Sequence, residues 1–326
     1  MILTVTANPA LDLTYRLEDA DHLGDRAVEV HRARSVSLEA SGKGVNVSRA
    51  LTLAGRPNTA ALLVGGQTGQ QLLDLLSADK VAHRAVRQSG PTRVNTTILT
   101  AGGPTTKVNA PGTGPSPEVV DNLVIAVDNE MATLSDDGAV HRAGADWLLI
   151  CGSMPPGTKV EALTGRLVES AHARNWRVAV DSSGDGLKAG FTAGADLLAP
   201  NAAELSAVLG TTVLAGRELF TAAASSAAEH GCELLISLGA DGALWTDGRR
   251  TLHVRGPVIT PINSAGAGDA LLAGWFFTDP GDDPVYRLRT AVAWGTAACL
   301  SPTTVAIGGA GAIGDCVLIS DLLEAP

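Results

Sequence analysis

The residue best placed to do chemistry is an aspartate at the mouth of a glycine-rich helix start. The chain reads Gly266-Ala267-Gly268-Asp269 and runs on as Ala270-Leu271-Leu272-Ala273-Gly274, an apolar small-residue stretch that predicts a helix. Backbone N–H groups in a first helical turn have no intrahelical partner, so they point outward and form a ready anion site. A carboxylate beside such a site repels a bound phosphate. The pairing makes sense if Asp269 accepts a proton from a hydroxyl while the amides of Ala267 and Gly268 hold the charge that is being transferred.

A second glycine-rich helix start is Ser41-Gly42-Lys43-Gly44-Val45-Asn46-Val47-Ser48. It is not a Walker phosphate loop, because Ser37 stands where the first glycine belongs and Gly44 follows the lysine in place of Ser or Thr. It is not a dinucleotide fingerprint either, since Val47 occupies the third glycine position. What remains is a tight turn exposing amides, with Lys43 as a point cation and Asn46 one turn into the helix; by itself such a turn is more often a packing device than a site. Pro200-Asn201-Ala202-Ala203-Glu204 puts Asn201 and Glu204 on one face of a helix start, either as a capping box or as oxygen ligands for a hydrated magnesium ion. Ser237-Leu238-Gly239-Ala240-Asp241-Gly242 reads as a strand and a tight turn, and Gly152-Ser153-Met154-Pro155-Pro156-Gly157 as a strand-end loop whose serine can meet a phosphate. Arg93 and Asn95 fall in a segment of alternating polarity. The seven histidines show no metal-ligand spacing, and no Gly-x-Ser-x-Gly elbow supports a serine hydrolase.

The elements that must position these residues alternate. Apolar runs at Ile2–Thr6, Ala60–Val64, Trp147–Cys151, Val178–Asp181, Asp196–Ala199, Leu234–Leu238 and Ala243–Thr246 predict strands. Amphipathic stretches at Val45–Ala54, Gln70–Leu76, Val119–Leu134, Lys159–Ala173 and Glu218–His230 predict helices between them. The expected fold class is α/β, a mainly parallel sheet with helices on both faces, its ligands at the carboxyl ends of the strands. About 11–36 and 92–108 instead alternate with period two, which predicts a small antiparallel lid, discontinuous in sequence. With 326 residues the chain can bury a full core, read here as a single domain over 1–326 carrying that lid. The 24 Lys and Arg against 34 Asp and Glu give a net charge of −10, which argues against nucleic acid or an anionic membrane as partner. Four widely spaced cysteines without a C-x-x-C pair, and an opening that reads as a strand rather than a signal peptide, lead us to expect a cytoplasmic protein. The uncharged stretch from Thr290 to Gly314 is broken by Gly, Pro and Thr, and predicts a buried helix and a loop rather than a membrane span.

Taken in order, these motifs resemble the ribokinase-like (PfkB-type) carbohydrate kinases. Those that carry the resemblance are Asn8-Pro9-Ala10-Leu11-Asp12, Ser41-Gly42-Lys43-Gly44-Val45-Asn46, Thr92-Arg93-Val94-Asn95, Asn109-Ala110-Pro111-Gly112, Gly152-Ser153-Met154-Pro155-Pro156-Gly157, Asn201 with Glu204, Ser237-Leu238-Gly239, and Gly266-Ala267-Gly268-Asp269. Asn-Pro-Ala-x-Asp with Thr-Arg-x-Asn looks like the 1-phosphofructokinase and tagatose-6-phosphate kinase branch, whose acceptors are already phosphorylated ketohexoses. The resemblance implies a three-layer sandwich, ATP and Mg2+ as cofactors, and Asp269 as base beside an anion hole of Gly266, Ala267 and Gly268. It implies that Asp12 and Asn46 hold sugar hydroxyls, that Gly42, Lys43, Gly44 and Asn95 line the sugar pocket, and that Arg93 and Ser153 grip the phosphate already present. It puts Ser237, Gly239, Gly242 and Ser264 along the ATP, with Asn201 and Glu204 organising magnesium through water. It makes the lid a homodimer contact that brings Arg26 near a neighbouring site.

The expected reaction is D-fructose 1-phosphate to the 1,6-bisphosphate, with tagatose 6-phosphate or fructose 6-phosphate as alternative acceptors. An unphosphorylated sugar as acceptor, or a non-catalytic sugar-phosphate sensor, stays open as well. Two departures stand out: Ala199 and Thr97 occupy positions where many members of the family carry lysine.

Overall fold

A computed structural model describes residues 1–17, 30–100, 105–136, 146–301, 303, 305 and 315–323. In chain order, the first half runs β1 (Ile2–Thr6), β2 (Ala10–Leu17), β3 (Ala33–Ser41), α1 (Lys43–Leu53), β4 (Thr59–Gly65), α2 (Gly66–Ala78), β5 (Ala82–Gln88), β6 (Arg93–Leu99), β7 (Thr105–Val108) and α3 (Pro117–Asp136). Then come β8 (Trp147–Cys151), α4 (Val160–Ala173), β9 (Arg177–Asp181), α5 (Asp185–Ala193), β10 (Leu197–Leu198), α6 (Ala202–Val208) and α7 (Gly216–His230). The last part holds β11 (Glu233–Ser237), β12 (Ala243–Thr246), β13 (Arg250–Arg255), α8 (Ala267–Phe277), α9 (Pro284–Cys299) and β14 (Val317–Leu323).

Ten strands form one sheet in the order β14-β13-β12-β11-β10-β9-β8-β1-β4-β5. The pairings from β5 through β11 are parallel, and β11 to β14 continue as antiparallel neighbours. Period-two alternation sorts each strand's side chains between two faces, and here both faces are covered. Leu149, Ala179, Leu235 and Trp245 pack with α1, α8 and α9 on one side. Ile150, Val178 and Val180 meet α3 and α4 on the other, and Leu234, Ile236 and Leu244 meet α5, α6 and α7 there. This is the expected three-layer α/β architecture. Among the described residues no helix is long and apolar enough to cross a membrane.

The second sheet has the order β3-β2-β6-β7 and sits where the alternating segments place the lid. Both outer pairings are antiparallel, whereas β2 and β6 at its centre pair in parallel. No hairpin joins those two strands: they arrive from separate parts of the chain, so nothing forces them to run opposite ways. Leu11 and Ala40 anchor this sheet on α1, α2 and β4. Arg26 and part of the 11–36 segment lie outside the described residues, as does most of the loop expected within 290–314. The helix of that last stretch begins earlier than expected, at Pro284, because Asp283 caps it by accepting from the Val285 N–H and Pro284 takes the first turn.

Candidate active site

The site lies at the carboxyl ends of the central strands, roofed on one side by the small sheet. Helix α8 starts from Gly266, whose φ of 78° is a left-handed turn that suits glycine. Asp269 sits in its first turn, buried at 8% exposure. The Asn46 Nδ2 donates to its Oδ2 at 2.7 Å, so the second glycine-rich helix start is brought directly against the first. Burial raises the Asp269 pKa from 3.8 to about 6, and the nearby Asp181 carboxylate pushes it the same way; the Asn46 hydrogen bond and Lys43 pull against them.

Asp181 ends β9 and was not singled out from the sequence. It is the counter-charge of Lys43, whose Nζ lies 2.7 Å from its Oδ1. Burial works against the Lys43 charge, but Asp181 outweighs it and holds the ammonium above its ordinary pKa, with Asp269 and Glu204 adding to the effect. The one available signal was position: a carboxylate closing a buried strand, at the edge where such sheets bind ligands.

Helix α1 can stand this close only because of its glycines. A Cβ on Gly44 would lie 2.4 Å from Thr6 Oγ1 and 3.2 Å from the Cys151 Cβ. Gly42, at φ 122°, takes a conformation that other residues rarely adopt.

Asp12, on β2, accepts from Ser41 Oγ at 2.7 Å and from Asn95 Nδ2 at 2.9 Å, so three of the residues named above meet at one carboxylate. Asn95 also accepts from the Ala110 N–H, and Arg93 donates to the Ala110 carbonyl, which docks the 109–112 loop on β6. Arg93 reaches Ser153 Oγ at 3.5 Å, and Asn8 donates to the same hydroxyl at 3.3 Å. Burial lowers the Arg93 pKa, with Asp12 opposing. Arg93 Nε and Asn46 Oδ1 are buried without a hydrogen-bond partner, two unspent polar atoms at opposite ends of this constellation.

On the other side of α8 opens a cavity of about 380 Å3. Ser237, Gly239, Gly242, Ser264, Ala267 and Gly268 all line it, so the turn after β11 and the α8 N-terminus share one space. Asn201 and Glu204 lie outside its lining. They form a capping box at α6, with Glu204 N–H donating to Asn201 Oδ1 and Asn201 N–H to Glu204 Oε2, both at 2.9 Å. Ala199 packs against the hydrophobic core. Directly across from Thr97 in the β6–β7 ladder stands Lys107.

An α/β sandwich with an acid at a glycine-rich helix start, a cavity behind it and a polar corner in front defines a phosphotransferase of the carbohydrate-kinase class. The chain belongs to the pfkB family of carbohydrate kinases, whose model matches residues 5–299. It is 35% identical over 275 residues to a 1-phosphofructokinase of Haloferax volcanii, covering 84% of this chain and 83% of that one. A 1-phosphofructokinase of Vibrio cholerae is 30% identical over 84% of this chain and 81% of its own. Among solved structures, phosphofructokinase-2 of Escherichia coli in complex with fructose-6-phosphate superimposes with a TM-score of 0.79 at 28% identity, over 92% of this chain and 93% of that one. The protein is therefore a sugar phosphotransferase, and such kinases use ATP with Mg2+.

The residues present fit both. Ser237, Gly239, Gly242, Ser264 and the α8 amides at the cavity's edge would hold the nucleotide. Among the described residues no three His, Cys, Asp or Glu side chains gather to hold a metal. Magnesium would be held mainly by phosphate oxygens and water, with Glu204 as its proposed partner through water.

Proposed function

We propose that the whole chain acts as one ATP-dependent kinase of ketohexose phosphates, converting D-fructose 1-phosphate to D-fructose 1,6-bisphosphate. The observation that carries the reading is Asp269: buried, first-turn, bonded to Asn46, and poised with a pKa of about 6 between the nucleotide cavity and the polar corner around Asp12. A base works best when its pKa lies near the working pH, and at neutral pH this carboxylate is ionised yet basic enough to take a hydroxyl proton.

In this reading Arg93 and Ser153 hold the phosphate on C1, while Asp12, Asn46 and Asn95 orient the sugar hydroxyls. The C6 oxygen then faces Asp269. Its bond to the γ-phosphorus forms as the bond to the diphosphate leaving group breaks, and its proton passes to the carboxylate. The Gly266–Gly268 amides and Lys43 neutralise charge on the transferring group, which is most of what a protein contributes to phosphoryl transfer. Magnesium, when bound, neutralises phosphate charge. Holding the reactants in one place supplies effective molarities of about 10⁵ M or more.

Fructose 1-phosphate is favoured because the curated relatives at 30–35% identity are named 1-phosphofructokinases; in Escherichia coli a 6-phosphofructokinase stands at 29% and a 1-phosphofructokinase at 27%. We infer further that two copies associate through the small sheet, as exposed Val36 on β3 and Val108 on β7 favour, and that the enzyme works in the cytosol.

Assaying ADP release with fructose 1-phosphate, fructose 6-phosphate, tagatose 6-phosphate or free fructose as acceptor tests the substrate, the first three giving a bisphosphate and free fructose a monophosphate. Arg93→Ala is expected to raise KM for the phosphorylated sugar at least tenfold. An unchanged KM would remove the phosphate grip and point to an unphosphorylated acceptor.

A further inference from the structure

Asp12 is held on both of its oxygens by the protein itself. Asn95 Nδ2 donates to Oδ1 at 2.9 Å, and Ser41 Oγ donates to Oδ2 at 2.7 Å. Each donor is itself fixed. Asn95 stands beside Asp12 in the β2–β6 register, and its own Oδ1 accepts from the Ala110 N–H at 3.2 Å, which sets the amide's orientation. Ser41 closes β3, is buried at 5% exposure, and approaches along the diagonal of the β2–β3 ladder, where Ala10 is its direct partner.

The residue directly across from Asp12 in that ladder is Glu39. Like charges opposite one another repel, so the ladder itself pushes the Asp12 carboxylate aside. Arg49 Nη2, 3.9 Å from Glu39 Oε1, draws the second acid away. With Asn95 as its sole donor, Asp12 can still turn about its last bond, because a terminal torsion of this kind is broad. The Ser41 hydroxyl on the other oxygen stops that turn. An ionised carboxylate offers about four lone-pair sites, and one on each oxygen is spent here. The pair left over points in set directions.

A ketose phosphate presents hydroxyls to match. When C6 supplies the attacking oxygen, the ring closes through C5 and carries neighbouring hydroxyls on C3 and C4. In fructose these lie on opposite faces of the ring; in tagatose, its 4-epimer, they share a face. Resting on the reading of the Asp12 corner as the acceptor pocket, we propose that Ser41 is a positioning residue that makes Asp12 stereoselective, setting the choice between C4 epimers. A carboxylate pinned at both ends meets one arrangement of the two hydroxyls, and one that turns follows either. The mismatched epimer then leaves a buried acceptor unpaired, which costs more than a poor fit against an apolar wall. Ser41 takes no part in the transfer itself, so its loss falls on the sugar and not on the nucleotide.

The test measures kcat/KM by ADP release for fructose 1-phosphate and tagatose 1-phosphate. It compares full-length wild type, Ser41→Ala, Asp12→Asn and the double variant, with melting curves and KM for MgATP alongside. Wild type should favour fructose 1-phosphate by about tenfold or more. Ser41→Ala should cut that ratio roughly fivefold or more, as befits one hydrogen bond to a charged group, with KM for MgATP unchanged. In the Asp12→Asn background the Ser41 change should move the ratio by less than about twofold, because a residue acting through another has nothing left to act on. Ser41→Cys, which keeps the volume with only a weak donor, replaces Ser41→Ala if that variant melts early. A smaller wild-type ratio, an equal loss on both epimers, or an undiminished Ser41 effect in the Asp12→Asn background overturns the proposal. Unchanged kinetics in Asp12→Asn alone overturns the acceptor-pocket reading instead, a distinct result.

Discussion

Replacing Asp269 by asparagine separates what this carboxylate does for the reaction from what it costs the fold. The substitution keeps the shape and leaves an amide oxygen to accept from Asn46 Nδ2, now at 2.7 Å from Oδ2, but it removes the proton acceptor. Losing a positioned general base lowers kcat by about 10²–10⁴-fold. KM for the sugar phosphate should stay within about threefold, since Arg93 and Ser153 are untouched. Stability moves the other way. A pKa raised from 3.8 to about 6 means that the folded state holds the ionised group less well than water does, and the difference is about 3 kcal/mol at neutral pH. The sign follows from the raised pKa: the penalty is absent below pH 4, grows between 4 and 6, and is fully present above 6. Asparagine has no charge to desolvate, so the variant should melt several degrees higher at pH 7.5, with the gap closing at pH 4.5. Paired melting curves at the two pH values and steady-state kinetics check both halves. A variant that retains kcat within tenfold, or melts lower at pH 7.5, would refute the assignment of a buried base.

Three further outcomes follow from neighbouring contacts. Wild-type kcat/KM should fall tenfold per pH unit below about 6, and Asp181→Asn should move that limb to lower pH, because it removes a like charge and frees Lys43 to turn toward Asp269. Gly44→Ala should destabilise by about 1–3 kcal/mol, read as a lower melting temperature, because its methyl would meet Thr6 Oγ1 and the Cys151 Cβ with no room to yield. His253→Leu should raise KM for the nucleotide about two- to tenfold with KM for sugar unchanged, since His253 Nε2 lies 2.8 Å from the Asp241 carbonyl and steadies the turn lining the cavity.

How much of this was legible in the sequence differs by region, and the reasons are physical. Strands β1, β8 and β12 match the apolar runs to the residue, because a strand buried on both faces reads as an uninterrupted block. Helix α5 and strands β5 and β13 gave no comparable contrast. Asp185-Gly186-Leu187-Lys188-Ala189-Gly190 carries two glycines, so its helical pattern is diluted. Strand β5 sits at the sheet edge with half its side chains in solvent. The parallel β2–β6 pairing could not be read at all: alternation reports that a face is wet, not which way its neighbour runs.

In the site, the meeting of Asp269 with Asn46 across 223 positions is a product of topology, which two separate glycine motifs only hint at. The bond between Asp12 and Asn95 is of the same kind, set by the register of strands 83 residues apart. For Asn201 and Glu204 the capping-box reading is the one the structure shows, while the magnesium reading stands as a proposal.

Helix α8 has one more consequence. From Asp269 through Phe276 every residue is buried, and its far end is wedged by Trp275 and Phe276 against Trp245 and Trp147. A rod clamped all round cannot swing, so the carboxylate proposed as the base is held as a fixed anvil. In the proposed reaction, movement that admits sugar and releases product would fall to the four-stranded cover, whose strands β3 and β7 are largely exposed. Cross-linking that cover to the body should therefore stall exchange while leaving the anvil undisturbed.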